Sequence, residues 1–210
     1  MTNLTRARAG ALQLGSNVVE LLLPQRRPML MVDRVEAFEA GPPPTLRASR
    51  HISANEIFFA GHFPGMHLWP GCLTIEGMGQ TGALLVAVLA VREGMVAAGE
   101  DPDRALDALR NLDLGYRMHP GYRPDDAARF LAAFRVHADG SVAAGAAVDV
   151  KLTGPVFAGQ RLDYRATLVR DLGEMMRFEV EASVDGKTVA AGTMTGVRLR
   201  RPTASLPIEP

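Results

Sequence analysis

Cysteine is almost missing from this chain. Cys72 is the only one in 210 residues, so no disulfide can form within it. Charge of one sign is not in excess: 23 Lys and Arg face 23 Asp and Glu. That balance argues against bulk electrostatic binding to nucleic acid. Zero net charge is also a poor setting for colloidal solubility and favours a chain held in an oligomer. Long apolar runs are lacking. The longest, Thr81 to Val91, has 11 residues, against the roughly 20 of a membrane-spanning helix. Met1 to Asn17 carries scattered Arg but no apolar stretch of signal-peptide length, so a reducing cytoplasm is expected. Neither internal repeats nor low-complexity blocks occur. What is present is ordinary globular material, 47% hydrophobic and 22% charged. Such a composition excludes a disordered chain and fits one domain with an elaborated loop.

Along the chain, residues 1–17 read as a loose lead-in, 18–200 as the domain and 201–210 as a polar tail. Val18 to Leu23, preceded by Ser16 and Asn17 and ended by Pro24, predicts a short helix. Met29 to Phe38 and Thr45 to Ile52 predict strands, with Gly41-Pro42-Pro43-Pro44 as the turn between them. Asn55 to Cys72 is dense in Gly, Pro and aromatics and reads as an ordered loop. Thr74 to Val91 predicts a helix that is apolar nearly all round, hence buried on most faces. Its Gly77, Gly79 and Gly82 each cost about 1 kcal/mol against Ala, acceptable where neighbouring groups approach closely. Residues 94–140 are mostly polar, with a short helix expected at Pro102 to Leu112 and a loop holding Tyr116, His119 and Tyr122. Arg129 to Ala138 reads as helix or strand. Val142 to Leu152, Arg161 to Arg170, Met175 to Val184 and Lys187 to Leu199 predict strands, and Asp185-Gly186 is a strong hairpin signal. Strands with a segregated helix indicate an α+β fold.

The chemistry lies in Gly61-His62-Phe63-Pro64-Gly65 and Pro70-Gly71-Cys72-Leu73-Thr74-Ile75-Glu76-Gly77-Met78-Gly79-Gln80. His62 is expected in a rigid loop and Glu76 in the first turn of the apolar helix. Gly71 is expected just ahead of that helix, where free backbone N–H groups suit a developing oxyanion. Gln80, four residues after Glu76, shares its face and can orient its carboxyl. A His and a carboxyl facing an apolar cavity form an acid–base pair suited to removing a proton beside a carbonyl with loss of a hydroxyl. Blander readings are a hydrogen-bonded loop histidine and a carboxylate favoured by the helix dipole. Cys72 reads as a small packed residue rather than a nucleophile paired with His67. His62 and His67 have no third ligand at a recognisable spacing, so no metal site is expected.

These segments resemble the 3-hydroxyacyl-acyl-carrier-protein dehydratases. The resemblance is carried by Leu23-Pro24-x-Arg26-x-Pro28, Val32-Asp33-Arg34-Val35, Asn55-Glu56-x-Phe58-Phe59-x-Gly61-His62-Phe63-Pro64-Gly65, and Pro70-Gly71-x-Leu73-x-Ile75-Glu76-x-Met78-x-Gln80. Val150-Lys151-Leu152-x-Gly154-Pro155-Val156 adds to it downstream. The resemblance implies the hotdog fold, an antiparallel β-sheet wrapped around a long buried central helix. It implies reversible dehydration of (3R)-3-hydroxyacyl thioesters to trans-2-enoyl thioesters, in fatty-acid or specialised acyl or polyketide synthesis. No cofactor is implied beyond the phosphopantetheine of an acyl carrier protein. Glu76 matches the branch that only dehydrates, although Pro70-Gly71-Cys72-Leu73 looks more like the dehydratase/isomerase branch.

The implied roles are His62 as base, Glu76 as acid and Gly71 as donor to the thioester carbonyl. Leu68 supplies a backbone carbonyl to the His ring. Phe63, Pro70, Cys72 and Gln80 complete the implied substrate site. The resemblance further implies a homodimer with shared active sites, or a hexamer built as a trimer of dimers. Arg26, Arg27, Arg47 and Arg50 are candidate contacts for the acidic carrier, and Asp33 with Arg34 reads as a structural pair. Gln25 stands where the family usually has a His. The insertion at 94–140 is the larger departure, a candidate lid on the acyl tunnel or an addition to the oligomer interface. Two other functions stay open: a hotdog thioesterase, and a non-catalytic protein that binds acyl thioesters.

Overall fold

The computed structural model describes residues 11–119, 121 and 142–199. Seven strands form one antiparallel sheet in the order β1-β2-β3-β5-β6-β7-β4. They are β1 (Ala11–Leu14), β2 (Arg34–Glu39), β3 (Thr45–His51), β4 (Val142–Leu152), β5 (Arg161–Asp171), β6 (Met175–Val184) and β7 (Lys187–Leu199). Among the described residues three α-helices join them: α1 (Ser16–Leu22), α2 (Gly71–Ala97) and α3 (Asp103–Met118). A 3-10 turn covers Ile57–Ala60. The sheet bends around α2, giving the α+β hotdog architecture.

Period-two burial builds the inner face of the sheet. Leu162, Tyr164, Ala166 and Leu168 of β5 and Met176, Phe178, Val180, Ala182 and Val184 of β6 all point inward. The hairpin between β6 and β7 turns on Asp185 and Gly186, whose φ values of 50° and 76° are both left-handed, as a two-residue type I′ turn requires. Helix α2 is buried over most of its length, from Leu73 to Val91 and again at Gly94. Its length and composition alone would suit a membrane span, but it is the core helix. Gly77 is where it meets the sheet most closely. A Cβ there would collide with the Tyr164 hydroxyl and ring. A Cβ at Gly82 would meet Phe178 at an ordinary distance of 3.6 Å. Tyr164 is completely enclosed, and burial pushes its hydroxyl well above the usual phenol range, with the Arg50 charge opposing.

Several boundaries differ from expectation. Met29 to Asp33 is not strand; β2 begins at Arg34, because Met29 and Met31 give their backbone groups to Gln80 rather than to a neighbouring strand. Within the expected lead-in of residues 1–17, Ala11–Leu14 adds the edge strand β1, with Ala11 opposite Ala37 and Leu14 opposite Val35. Helix α3 runs to Met118, so Tyr116 lies on a helix and packs against the core. Ala105, Leu109 and Leu112 form its buried stripe. Asp113 accepts the Gly15 backbone N–H and pairs with Arg117 at 2.7 Å, fastening α3 to the start of α1. Residues 103–119 line neither of the cavities described below. The expected element at Arg129 to Ala138, and Tyr122, lie outside the described residues. Asp33 and Arg34 do not pair. Arg34 faces Glu36, while Asp33 lies 3.7 Å from Arg50 and accepts the His51 N–H at 2.8 Å.

Candidate active site

The loop from Ile52 to Pro70 is held by backbone bonds more than by regular structure. Phe63 and Met66 exchange both N–H bonds at 2.9 Å, closing a tight turn around Pro64-Gly65. Gly65 has φ of 80°, a conformation open to glycine without penalty. The strip 67–69 pairs with 156–158: Trp69 donates to Val156 at 2.8 Å and Ala158 to His67 at 3.1 Å. This pairing fixes the Leu68 carbonyl. His62 Nδ1 lies 2.9 Å from that oxygen. A carbonyl only accepts, so Nδ1 carries the proton and Nε2 presents a free lone pair. Phe63 stacks on the His62 ring at 4.3 Å. His67 stacks on Phe59 at 5.0 Å instead of joining His62.

Gly71 is the first residue of α2 rather than a residue ahead of it, with buried Pro70 as the N-cap. The first intrahelical bonds run from Leu73 and Thr74 to the Pro70 carbonyl, at 3.0 and 3.4 Å. The N–H groups of Gly71 and Cys72 precede them, at the positive end of the helix. A side chain at Gly71 would strike Leu152 of β4. Because the helix begins at Gly71, Glu76 stands in its second turn and not its first. What holds Glu76 is therefore a side chain. Gln80 Nε2 donates to Glu76 Oε1 at 2.9 Å and to the Met29 carbonyl at 2.6 Å, while Gln80 Oε1 accepts from Met31 N–H at 2.7 Å. Gln80 is buried and Glu76 half-buried. The Gln80 amide has no freedom to flip, since the Met31 N–H can only donate.

The two titratable groups line different cavities of one chain. His62 shares a cavity of about 170 Å³ with Leu68, Gly71, Leu152 and Val189. Glu76 shares a larger cavity of about 250 Å³ with Cys72, Gln80, Met78, Phe178 and Met194. Of the expected site residues, Leu68 and Gly71 thus stand with His62, and Cys72 and Gln80 with Glu76. Phe63 touches only the His62 side, and Pro70 acts through the helix start. Among the described residues, no three His, Cys, Asp or Glu side chains are grouped as metal ligands. Arg50, expected as a carrier contact, is buried. It donates to the Leu30 carbonyl and to Glu56, each at 2.7 Å, and lies over the Trp69 ring at 5.1 Å. Alternation along β3 puts Arg50 on the buried face, opposite exposed Arg47, but does not show the partners it meets there.

This chain is similar to known proteins. A family model described as a FabA-like domain matches residues 23–104. The 3-hydroxyacyl-(acyl-carrier-protein) dehydratase FabZ of Polynucleobacter necessarius subsp. necessarius (strain STIR1) is 31% identical over 179 residues, covering 85% of this chain and 89% of that protein. FabZ of Anaeromyxobacter sp. (strain Fw109-5) is 32% identical over 183 residues, covering 87% and 89%. Among solved structures, the dehydratase heterocomplex ApeI:P from Xenorhabdus doucetiae is similar in fold, with a TM-score of 0.50 and 16% identity over 86% of this chain and 90% of that one. Identity of this level over nearly the whole length of the relatives leads to one conclusion: the chain belongs to the FabZ-type 3-hydroxyacyl-acyl-carrier-protein dehydratase family.

Proposed function

We propose that the chain dehydrates (3R)-3-hydroxyacyl thioesters carried on the phosphopantetheine of an acyl carrier protein, in fatty-acid or related acyl synthesis, with no further cofactor. The observation that carries this reading is the His62–Leu68 hydrogen bond, which leaves Nε2 as a base. In the reaction, His62 Nε2 takes the C2 proton of the substrate. The C2–H electrons become the C2=C3 bond, and charge that develops on the thioester oxygen meets the Gly71 N–H at the α2 N-terminus. The C3–O bond breaks with its electrons, and Glu76, in its acid form, gives the hydroxyl a proton to make water. The imidazolium and the carboxylate left behind are reset by net proton transfer through solvent, and the reverse sequence hydrates the alkene. Gln80 orients the Glu76 carboxyl for this step. The apolar cavity beside Glu76, walled by Met78, Phe178 and Met194, suits an acyl chain.

The active unit in this reading is a homodimer in which His62 of one chain meets Glu76 of the other. Two observations support it. Within one chain the two groups line separate cavities. Among the described residues, β4 also ends the sheet with an open edge, and its Val148 and Leu152 are 55% and 49% exposed. An apolar edge of this kind is a template for pairing with another strand. We place the enzyme in the cytoplasm, where acyl carrier proteins of bacterial relatives would meet it.

Ultraviolet absorbance tests the reaction. Wild-type protein with a 3-hydroxydecanoyl carrier thioester should build the absorbance of a conjugated enoyl thioester. His62→Ala and Glu76→Gln should each lose it, by about a hundredfold or more in kcat. Free carrier thiol in place of the enoyl product would move the assignment to a thioesterase.

A further inference from the structure

The geometry points to Arg50 as a positioning residue that ties the base and the acid of one chain to a single guanidinium, and so couples the two active sites of the dimer. The inference rests on the roles proposed above for His62 and Glu76.

Arg50 sits on β3 with its side chain only 9% exposed. Its fork divides. Nη1 donates to the Leu30 carbonyl at 2.7 Å. The residues on either side, Met29 and Met31, are the two that clamp Gln80, and Gln80 clamps Glu76. Arg50 therefore fixes the central peptide of the three-residue strip on which the acid is registered. Nη2 donates to Glu56 at 2.7 Å. Glu56 is the N-cap of the 3-10 turn Ile57–Ala60, which leads into Gly61 and His62. The His62 N–H in turn bonds to the Phe58 carbonyl of that turn at 3.0 Å. The guanidinium also lies over Trp69, whose neighbour Leu68 holds the His62 ring. One planar group thus reaches both halves of the machinery without touching substrate. A fork with two donors on separate nitrogens does this with fixed geometry, which an ammonium on a flexible stem does not supply.

In a shared-site dimer, the His62 and Glu76 that Arg50 holds serve opposite active sites. Loss of His62 in one chain disables one site only. Loss of Arg50 in one chain loosens a base in one site and an acid in the other. This asymmetry separates coupling from support of a single group.

The test uses hybrid dimers purified through two different tags. A wild-type/His62→Ala hybrid should keep about half the wild-type kcat, since only one site is lost. A wild-type/Arg50→Met hybrid should fall well below half, toward the level of the Arg50→Met homodimer. That homodimer should lose about tenfold or more in kcat with KM changed by less than about twofold, the signature of misplaced groups and intact binding. Arg50→Lys should recover the thermal midpoint but not kcat. If Arg50→Met fails to fold, the double variant Arg50→Met/Glu56→Gln, which removes the buried charge left behind, takes its place in both assays. A hybrid that keeps half its activity overturns the coupling. So does full recovery of kcat in the double variant, which would reduce Arg50 to charge balance for Glu56. The reading beneath is checked separately: a His62→Ala/Glu76→Gln hybrid should regain one intact site. If it stays inactive, the sites are not shared, and Arg50 is then judged on the Met homodimer, where an unchanged kcat overturns the positioning role.

Discussion

Glu76 is held by a neutral amide, and this decides how the site tolerates change. Gln80 satisfies the Met29 carbonyl, the Met31 N–H and one carboxyl oxygen at once. Gln80→Leu keeps the volume but leaves the buried Met31 N–H without its partner and removes the donor to the part-buried Met29 carbonyl. The expected cost is about 2–4 kcal/mol of stability, read by urea unfolding, with kcat falling further than the folded fraction. Gln80→Glu should also fail, since a carboxylate cannot donate to the Met29 carbonyl and repels Glu76. His62, Glu76 and the helper Gln80 were legible in the sequence because the loop motif and the four-residue helical spacing are local signals. Arg50 was not legible. Alternation puts Arg50 on the inward face with Leu46 and Ala48, but its value depends on Leu30, Glu56 and Trp69 converging from three segments, which β3 alone does not reveal.

The element that decides the fold is α2, and its glycines are not equivalent. Gly77→Ala should destabilise the protein by about 1–3 kcal/mol, because the new methyl meets the rigid Tyr164 ring with no space to move. Gly82→Ala should instead stabilise it, by up to about 1 kcal/mol, since a helix favours Ala and Phe178 leaves ordinary contact distance. Thermal melts of the two variants check the opposite signs. A second prediction concerns the β6–β7 hairpin. Glu181 is held below its usual 4.5 first by the Thr188 hydroxyl, 2.7 Å away, and then by Arg165, against the opposing effect of burial. A lowered carboxylate pKa adds stability that is present above the unfolded value and fades as the pH falls through the folded one. Thr188→Val should therefore cost about 0.5–1 kcal/mol at neutral pH, reduced by the exposure of the site, and almost nothing well below pH 4.5. The late strands and their hairpin were legible from alternation and from Asp185-Gly186. The start of β2 was not. The apolar run from Met29 has strand composition, yet its backbone is recruited by Gln80, a partner 49 residues away for Met31. Nor was β1, a four-residue strand whose identity depends wholly on finding β2.

In the proposed dimer each chain brings two half-sites, and among the described residues β4 is the last strand of the sheet. Helix α3, which in sequence is a candidate lid, fastens α1 and the outer end of α2 instead, through Asp113 with Gly15 and Arg92 with Asp103. Assembly through β4 gives a direct expectation. Val148→Lys with Leu152→Lys should convert the dimer to monomer in analytical ultracentrifugation and abolish turnover together with it, because each half-site loses its complement. Loss of turnover in a chain that is still dimeric would assign these residues to the two cavities alone. The central claim, dehydration across C2 and C3 by His62 and Glu76, is tested most directly by running the reaction backward. Wild-type protein is given a trans-2-decenoyl carrier thioester in heavy-oxygen, deuterated water, and the product is placed by mass spectrometry. The account predicts deuterium at C2 and heavy oxygen on C3, both lost in His62→Ala and in Glu76→Gln. Heavy oxygen in a released carboxylate, with C2 and C3 unlabelled, would contradict it.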